Sequence, residues 1–198
     1  HGVHTVIGAR DGGKGAACAA EFLHTGLPVS SVELDVTNGG SIVAAISAVS
    51  EAIGPIDILI NNAAIMIDGP GGFDASLFDL TSDTMRKTWE TNVIGPVALM
   101  QAVLPGMRSR GFGRVVNMSS LAGQLAEMGA GFPAYRMSKA ALNAATRVAA
   151  AEIGPSTNIK INAASPGWVK TDMGGPEAPR STAEGADTAV WLALIDDD

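Results

Sequence analysis

Short apolar runs alternate with alanine-rich helical stretches along most of the chain. The apolar runs are rich in β-branched residues and predict strands at 3–9, 29–36, 56–63, 114–119 and 160–164. The run 56–63 is nearly continuous apolar sequence, as expected of a strand buried on both faces. Helical patterns fill the intervals at 14–24, 41–53, about 83–110 and 134–153.

The longest helical pattern follows a loop rich in Gly, Pro and Asp at 68–79. We expect this helix to begin after a capping Ser82 and to bend or end early at Pro105-Gly106, because proline removes a backbone donor.

Alternating strands and helices of this kind indicate an α/β fold with a mostly parallel sheet covered on both faces. Ligands of such sheets bind outside the carboxyl ends of the strands. The polar and glycine residues that directly follow predicted strands are therefore the candidates for a functional site: Arg10, Asp35, Asn62, Ser119, Ser120 and Pro166-Gly167.

The length and the composition fit one domain spanning residues 1–198 with a sizeable core, since 46% of the residues are hydrophobic. A net charge of −7 argues against a nucleic-acid backbone or an anionic membrane as partner. The single cysteine, Cys18, cannot form an internal disulfide, and no ligand cluster for a metal is visible. A reducing cytoplasm is the expected location.

Tyr135 and Lys139 are four residues apart in a predicted helix and so share one face. An ammonium about 4 Å from a phenol, at an effective dielectric near 20, contributes about 4 kcal/mol. That energy would bring a tyrosine pKa from about 10 to about 7, where the group can act as a general acid or base. The alternative is a packed ring beside a solvated amine.

The predicted strand 114–119 ends in Ser119-Ser120, followed by Gly123. A hydroxyl at this place could hold a substrate carbonyl oxygen, as an oxyanion stabiliser does. The alternative is that a serine pair after a strand serves the turn.

Taken in order, five segments resemble the signature of short-chain dehydrogenases/reductases. They are Asn61-Asn62-Ala63-Ala64, Thr91-Asn92-Val93, Ser119-Ser120, Tyr135 to Lys139, and Ser165 to Thr171. Residues 8–11 and 172–176 are most similar to the carbonyl reductase-like branch of that family. The resemblance implies a doubly wound, Rossmann-like sheet and a hydride transfer between a nicotinamide cofactor and a carbonyl or alcohol.

Carried onto this chain, the resemblance assigns four catalytic residues. Tyr135 is the proton donor, and Lys139 lowers its pKa and binds the nicotinamide ribose. Ser120 orients the carbonyl, and Asn92 holds a water in a relay with Lys139. The chain departs from the family pattern where Ala64 replaces a glycine and where the Ser120–Tyr135 interval has two extra residues.

The resemblance also assigns a cofactor site with a preference for NADP(H) over NAD(H). Arg10 stands near the place where NAD-dependent relatives carry an acid, and its planar fork of donors suits a 2′-phosphate. Lys14 could assist, and a solvated loop charge is the alternative for Arg10. The cofactor residues implied are Arg10, Asp35, Val36, Asn62, Ala63, Tyr135, Lys139, Pro166, Gly167, Val169 and Thr171.

Residues 8–14 also fit the first seven places of a phosphate-binding P-loop. The eighth place is Gly15, which has no hydroxyl for Mg²⁺. The sequence therefore argues against a nucleotide triphosphatase.

The family's Gly-rich turn, which carries the cofactor pyrophosphate on a helix N-terminus, is not found in the sequence. By resemblance, the run 3–9 is the family's second strand, so the first strand and helix are expected upstream of His1. The far end, Asp196 to Asp198, stops where the family usually continues into a last strand. The domain is thus expected to be incomplete at both ends.

Two interpretations follow. In one, the chain is part of an active enzyme whose flanks lie outside this sequence. In the other, it is a truncated relative without dinucleotide binding that acts as a binding or scaffolding module. The intact catalytic set favours the first. The two differ in the sheet: a vacant central position would leave the strands 3–9 and 56–63 about 9.6 Å apart, whereas direct pairing would favour the scaffold.

Two further expectations concern partners. Residues 124–132 and 173–184 would line the pocket for a small, fairly apolar substrate. The long helix and the Tyr135 helix are expected to pack against a second copy, giving a homodimer or homotetramer. The apolar positions expected at that interface are Trp89, Val93, Val97, Met100 and Leu104. The alternative is that they all face the chain's own sheet.

Overall fold

The computed structural model describes residues 2–69 and 72–196. The expectations for His1 and for Asp197-Asp198 lie outside the described residues. The strands are β1 (Thr5–Ala9), β2 (Val29–Glu33), β3 (Ile58–Asn61), β4 (Phe112–Met118) and β5 (Asn158–Ala164). The helices are α1 (Gly12–Leu23), α2 (Gly39–Ala52), α3 (Ser82–Trp89), α4 (Gly95–Arg110), α5 (Pro133–Ile153) and α6 (Thr182–Leu194).

The strands pair in parallel throughout, which confirms the predicted α/β class. In one sheet Thr5 of β1 lies opposite Val29 of β2. In the other, β4 is central, with Ile58 of β3 opposite Arg114 and Asn158 of β5 opposite Phe112. The predicted strand and helix positions agree with these elements to within a few residues at each end.

The sheet is divided into two parts, as predicted from the strand order. Among the described residues, β1–β2 and β3–β4–β5 form separate sheets with no ladder between β1 and β3. A cleft of about 1070 Å³ separates them, lined by Val6 of β1, Ile58 and Ile60 of β3, and apolar residues of α2, α4 and α6. The direct pairing that would have favoured a scaffold is therefore not found.

The core lies on both faces of the three-stranded sheet. On one face Met100, Val103 and Met107 of α4 pack against Val115 of β4. On the other, α6 packs Ala189 and Ala193 against Val116 of β4 and Ala164 of β5. Because β4 is covered on both faces, Val115 and Val116 are fully buried.

Most of the residues predicted at an assembly interface belong to the core, which favours the alternative that they face the chain's own sheet. Met100 belongs to the core cluster, and Val97 and Leu104 pack against it. Val93 is buried as well. These side chains face the chain's own sheet because the apolar stripe of α4 is needed to cover β4.

The long helix is interrupted near its middle, and not at proline as predicted. It runs as α3, then a π-helical turn at Glu90–Ile94, and then α4, which continues through Pro105 to a left-handed Gly111. The cap of α3 is Thr81, whose hydroxyl accepts from the Thr84 amide, and not Ser82.

Helix α6 was not predicted, although its start carries a recognisable signal. Ser181 and Glu184 form a reciprocal capping box. Within residues 2–69 and 72–196, no helix has the length and apolar character to cross a membrane, and no cluster of three metal-ligating side chains occurs.

Candidate active site

Helix α5 places Tyr135 and Lys139 on one face, as the spacing predicted. Lys139 is only 2% exposed, and its ammonium lies 5.5 Å from the centroid of the Tyr135 ring. The Lys139 Nζ donates a hydrogen bond of 2.6 Å to the Met118 carbonyl at the end of β4. The buried lysine therefore ties helix α5 to the central strand β4.

Burial controls the protonation of both groups. It raises the pKa of Tyr135 above its usual value of 10.0, and a hydrogen bond with Ser120 offsets part of that rise. It lowers the pKa of Lys139 from 10.5 to about 8. The direction for Tyr135 is opposite to the one predicted, because desolvation of the phenolate outweighs the attraction of an ammonium that is itself directed at Met118.

The two serines after β4 have different surroundings. The Ser119 hydroxyl is buried and donates to the Asn143 side chain of α5 over 2.6 Å. The Ser120 hydroxyl accepts from the Ala122 amide and hydrogen-bonds the Tyr135 phenol. Ser120 is thus the serine that shares the Tyr135 site, and Ser119 serves the packing of the turn on α5.

Asn92 lies fully buried in the π-helical turn. Its side-chain oxygen accepts from the Ile65 amide at 2.8 Å, and its amide nitrogen donates to the Ile65 carbonyl at 2.9 Å and to the Ser138 hydroxyl at 3.0 Å. Ser138 in turn donates to the Tyr135 carbonyl. The side chain of Asn92 therefore clamps the segment after β3 and reaches the backbone of Tyr135 through Ser138.

The residues expected to contact the nucleotide end of a cofactor lie on the two-stranded sheet. Arg10 is exposed at the end of β1, and its charge acts weakly on the Asp35 carboxylate. Hydrogen bonds from Thr37, and to a smaller extent Arg10, lower the pKa of Asp35. Val36 packs closely on Gly95 at the start of α4. A Cβ atom added to Gly95 would lie only 2.7 Å from the Val36 carbonyl oxygen, so no larger side chain fits there.

The segment after β5 folds back on itself. Gly167 takes a left-handed φ of 77°, and a short bridge pairs Val169 with Arg180. Thr171 accepts from the Gly174 amide. Ser165 accepts from the Leu121 amide at 3.0 Å, which joins this segment, including Pro166, to the turn after β4.

Asn62 and Ala63 are exposed at the end of β3.

Two residues near Tyr135 were not predicted from the sequence. The Asp68 carboxylate accepts from the backbone amides of Ala134 and Tyr135. The Arg136 guanidinium donates to the Ala130 and Gly131 carbonyls and stacks on the Phe132 ring at 4.2 Å. Arg136 could have been found from its place inside the Tyr–Lys segment, but Asp68 is 66 residues from its partner and carries no local signal.

Comparison with known proteins bears directly on this arrangement. A family model described as enoyl-(acyl carrier protein) reductase matches residues 1–191. The chain is 41% identical over 132 residues to the C-signal of Myxococcus xanthus, a match covering 66% of this chain and 76% of that protein. The chain belongs to the short-chain dehydrogenase/reductase family.

Other members of the family are similar over more of the chain. Carbonyl reductase [NADPH] 1 of Sus scrofa is 29% identical, with 98% of this chain and 78% of that protein covered. The solved structure of a gluconate 5-dehydrogenase from Burkholderia cenocepacia, in complex with NADP and tartrate, is 25% identical with a TM-score of 0.84. That match covers 97% of this chain and 78% of the dehydrogenase. Against several other curated relatives, the chain spans 59–65% of their length.

Proposed function

We propose that this short-chain dehydrogenase/reductase is an NADP(H)-dependent oxidoreductase that interconverts a carbonyl and an alcohol. The observation that carries the proposal is the Tyr135 phenol, partly buried, hydrogen-bonded to Ser120, with the Lys139 ammonium 5.5 Å from its ring centroid. These are a proton donor, a hydroxyl for orienting a carbonyl, and a fixed positive charge in one place.

The raised pKa of Tyr135 suits the reductive direction at neutral pH, because the phenol is then protonated. When bound in this site, NADPH would be the source of the hydride that reduces the carbonyl carbon. Tyr135 gives its proton to the carbonyl oxygen, which completes the alcohol, and Ser120 orients that oxygen. Lys139 places a positive charge beside the phenolate that Tyr135 leaves behind, which stabilises it.

The residues present fit a dinucleotide. Lys139 has three N–H donors, and within residues 2–69 and 72–196 its one acceptor is the Met118 carbonyl. Two of its three donors thus remain for the hydroxyls of a bound ribose. Asn92 would act by fixing the segment after β3, and Asn62, Ala63, Pro166, Gly167, Val169 and Thr171 would border the nicotinamide side.

The preference for NADP(H) rests on Arg10. Its guanidinium makes no hydrogen bond or salt bridge in the described part of the chain, although its charge acts weakly on Asp35. Its donors are therefore available for a 2′-phosphate. The relatives named for NADPH or solved with NADP are consistent with this choice. The single exposed cysteine, Cys18, fits a reducing compartment such as the cytoplasm.

The aromatic side chains around Tyr135 indicate an apolar substrate. Phe132 meets Tyr135 edge-on at 6.1 Å, and Phe73 contacts both Phe132 and Trp168. A carbonyl compound with an apolar or aromatic group would pack on these rings.

The test is turnover of Tyr135→Phe with NADPH and a panel of apolar ketones and aldehydes. The substitution keeps the ring and removes the proton, so we expect kcat to fall by at least about 100-fold, the usual share of general acid catalysis. The dissociation constant for NADPH, followed by cofactor fluorescence, should stay within a few-fold. Trp191→Phe, an exposed aromatic residue of α6, is the matched control and should keep full activity.

Retained turnover in Tyr135→Phe would refute the catalytic role of this residue. Absence of NADPH binding by the unmodified protein would refute the oxidoreductase proposal and favour a binding module.

A further inference from the structure

The first turn of α5 is capped by a side chain from a distant loop. The local cap position is Phe132, which offers no side-chain hydrogen bond and has a left-handed φ of 33°. Pro133 begins the helix and has no N–H. The two free donors of the turn are the amides of Ala134 and Tyr135, and both are accepted by Asp68, with Ala134 at 2.5 Å and Tyr135 at 3.3 Å.

This contact is shielded from water. Asp68 is 8% exposed and Ala134 is fully buried. Water cannot readily replace the carboxylate, so the loss of Asp68 would leave both amides without an acceptor. A negative side chain is also favoured at the positive end of a 21-residue helix.

The loop that carries Asp68 is held against α5 at two further places. Asn92 fixes its beginning through both backbone groups of Ile65. Farther along, the ring centroids of Phe73 and Phe132 lie 5.5 Å apart. The backbone of Phe73 also lies close against Gly131, since a Cβ atom added to that glycine would be 2.1 Å from the Phe73 carbonyl oxygen. Asp68 is therefore placed by packing on both sides of it.

Tyr135 is the third residue of the helix, so its position depends on this first turn. Its amide donates to Asp68, and its carbonyl accepts from Ser138, which Asn92 holds. The Tyr135 amide is thus fixed by a side chain from another segment, and its carbonyl is fixed by Ser138 of the same helix, which Asn92 holds from the π-helical turn.

We propose that Asp68 is a positioning residue for Tyr135, which fixes the first turn of α5 by capping it from the loop after β3. This inference rests on the proposed function only in its kinetic consequence, since the capping is a property of the fold. A displaced first turn would move the phenol away from Ser120, and a displacement of about 1 Å can cost about 100-fold in rate.

The experiment compares Asp68→Ala with Asp68→Asn and Asp68→Ser in the whole protein. Asn and Ser are good helix caps and Ala is a poor one. Hydrogen exchange of the amides of Ala134 and Tyr135, followed over peptides spanning 130–140, should be about 10- to 100-fold faster in Asp68→Ala. Asn keeps an acceptor oxygen at the same distance from the backbone and should restore most of the protection, whereas Ser, whose hydroxyl is one bond shorter, should restore little. Asp79→Ala, an exposed acid of the same loop, is the matched control.

The kinetic arm uses NADPH and a ketone that the unmodified protein reduces. We expect kcat to fall by about 10- to 100-fold in Asp68→Ala while KM for NADPH changes by less than about 3-fold. Asp68→Asn should recover kcat to within a few-fold of the unmodified protein.

Normal amide protection and normal kcat in Asp68→Ala would overturn the proposal. So would a loss of kcat with unchanged protection, or equal damage from Asn and Ala in both measurements. If the unmodified protein reduces no carbonyl, the proposed function fails, and the exchange measurement still decides whether Asp68 caps the helix.

Discussion

At the scale of single residues, burial governs the site more than pairing of charges does. The i,i+4 spacing correctly predicted that Tyr135 and Lys139 share a helix face. It could not predict where the ammonium points, because that depends on the Met118 carbonyl of another element. The pKa of Tyr135 is accordingly raised by desolvation, whereas a pair in isolation would lower it.

The buried Lys139 gives the free energy of unfolding a defined pH dependence. Its pKa is about 8 when folded and 10.5 when exposed, so between those values the unfolded chain binds more protons. Stability should therefore rise with pH from about 8, by about 2 kcal/mol at pH 9.5. Above pH 10 the raised pKa of Tyr135 acts in the opposite direction, because the folded chain then holds its proton longer.

Urea unfolding between pH 7 and 9.5 checks this dependence. Lys139→Met should be more stable at pH 7 and should lack the rise, while Lys170→Met, an exposed lysine, should keep it. A flat profile for the unmodified chain would show that the ammonium is better solvated than its burial indicates.

Arg10 should determine the choice of cofactor. Loss of one charge-assisted contact is worth about 1.5–3 kcal/mol, or about 10- to 150-fold. Arg10→Ala should raise the dissociation constant of NADPH by that factor and leave the dissociation constant of NADH nearly unchanged. Arg108→Ala, an exposed arginine at the end of α4, is the control. Equal use of NADPH and NADH by the unmodified protein would contradict the assignment.

At the scale of elements, the sequence predicted most strands and helices but not their irregularities. Alternating apolar runs are a local signal, and they located β1 to β5 and α5 well. The π-helical turn at Glu90–Ile94 depends on Asn92 reaching Ile65 and Ser138, which no local pattern reveals. Helix α4 continues through Pro105, where the sequence predicts a bend or an end, and the capping box of α6 is a local signal that marks the start of that helix.

Assembly remains a prediction, now resting on different residues. The apolar stripe of α4 is used inside the chain, but Val148 on α5 is 58% exposed and Ile94 is 49% exposed. If α5 packs against a second copy, Val148→Arg should weaken the dimer by at least about 10-fold, because burial of a valine contributes about 1.5–3 kcal/mol.

Sedimentation at micromolar concentration measures this effect. Val43→Arg, an equally exposed valine on α2, should leave the mass unchanged. A strict monomer for the unmodified chain would count against assembly through α5.

At the scale of the whole molecule, the division of the sheet predicts uneven stability. The two clusters of buried apolar residues in the core lie on α4, α6, β4 and β5. The β1–α1–β2 unit contributes few buried apolar residues, among them Ala19 and Val29. The β1–α1–β2 unit can therefore open without disturbing that core. Amide hydrogen exchange in β1 should be at least about 10-fold faster than in β4. Equal protection in the two strands would show that the sheets unfold as one unit.

The unpaired edges of β1 and β3 face the same cleft, and this arrangement bears on solubility. An open strand edge is a template for pairing with any other chain that offers one, which is how domain swapping and aggregation begin. In the part of the chain that the structure describes, both edges border one cleft of about 1070 Å³. This cleft is therefore the place where pairing with a strand of another molecule would begin.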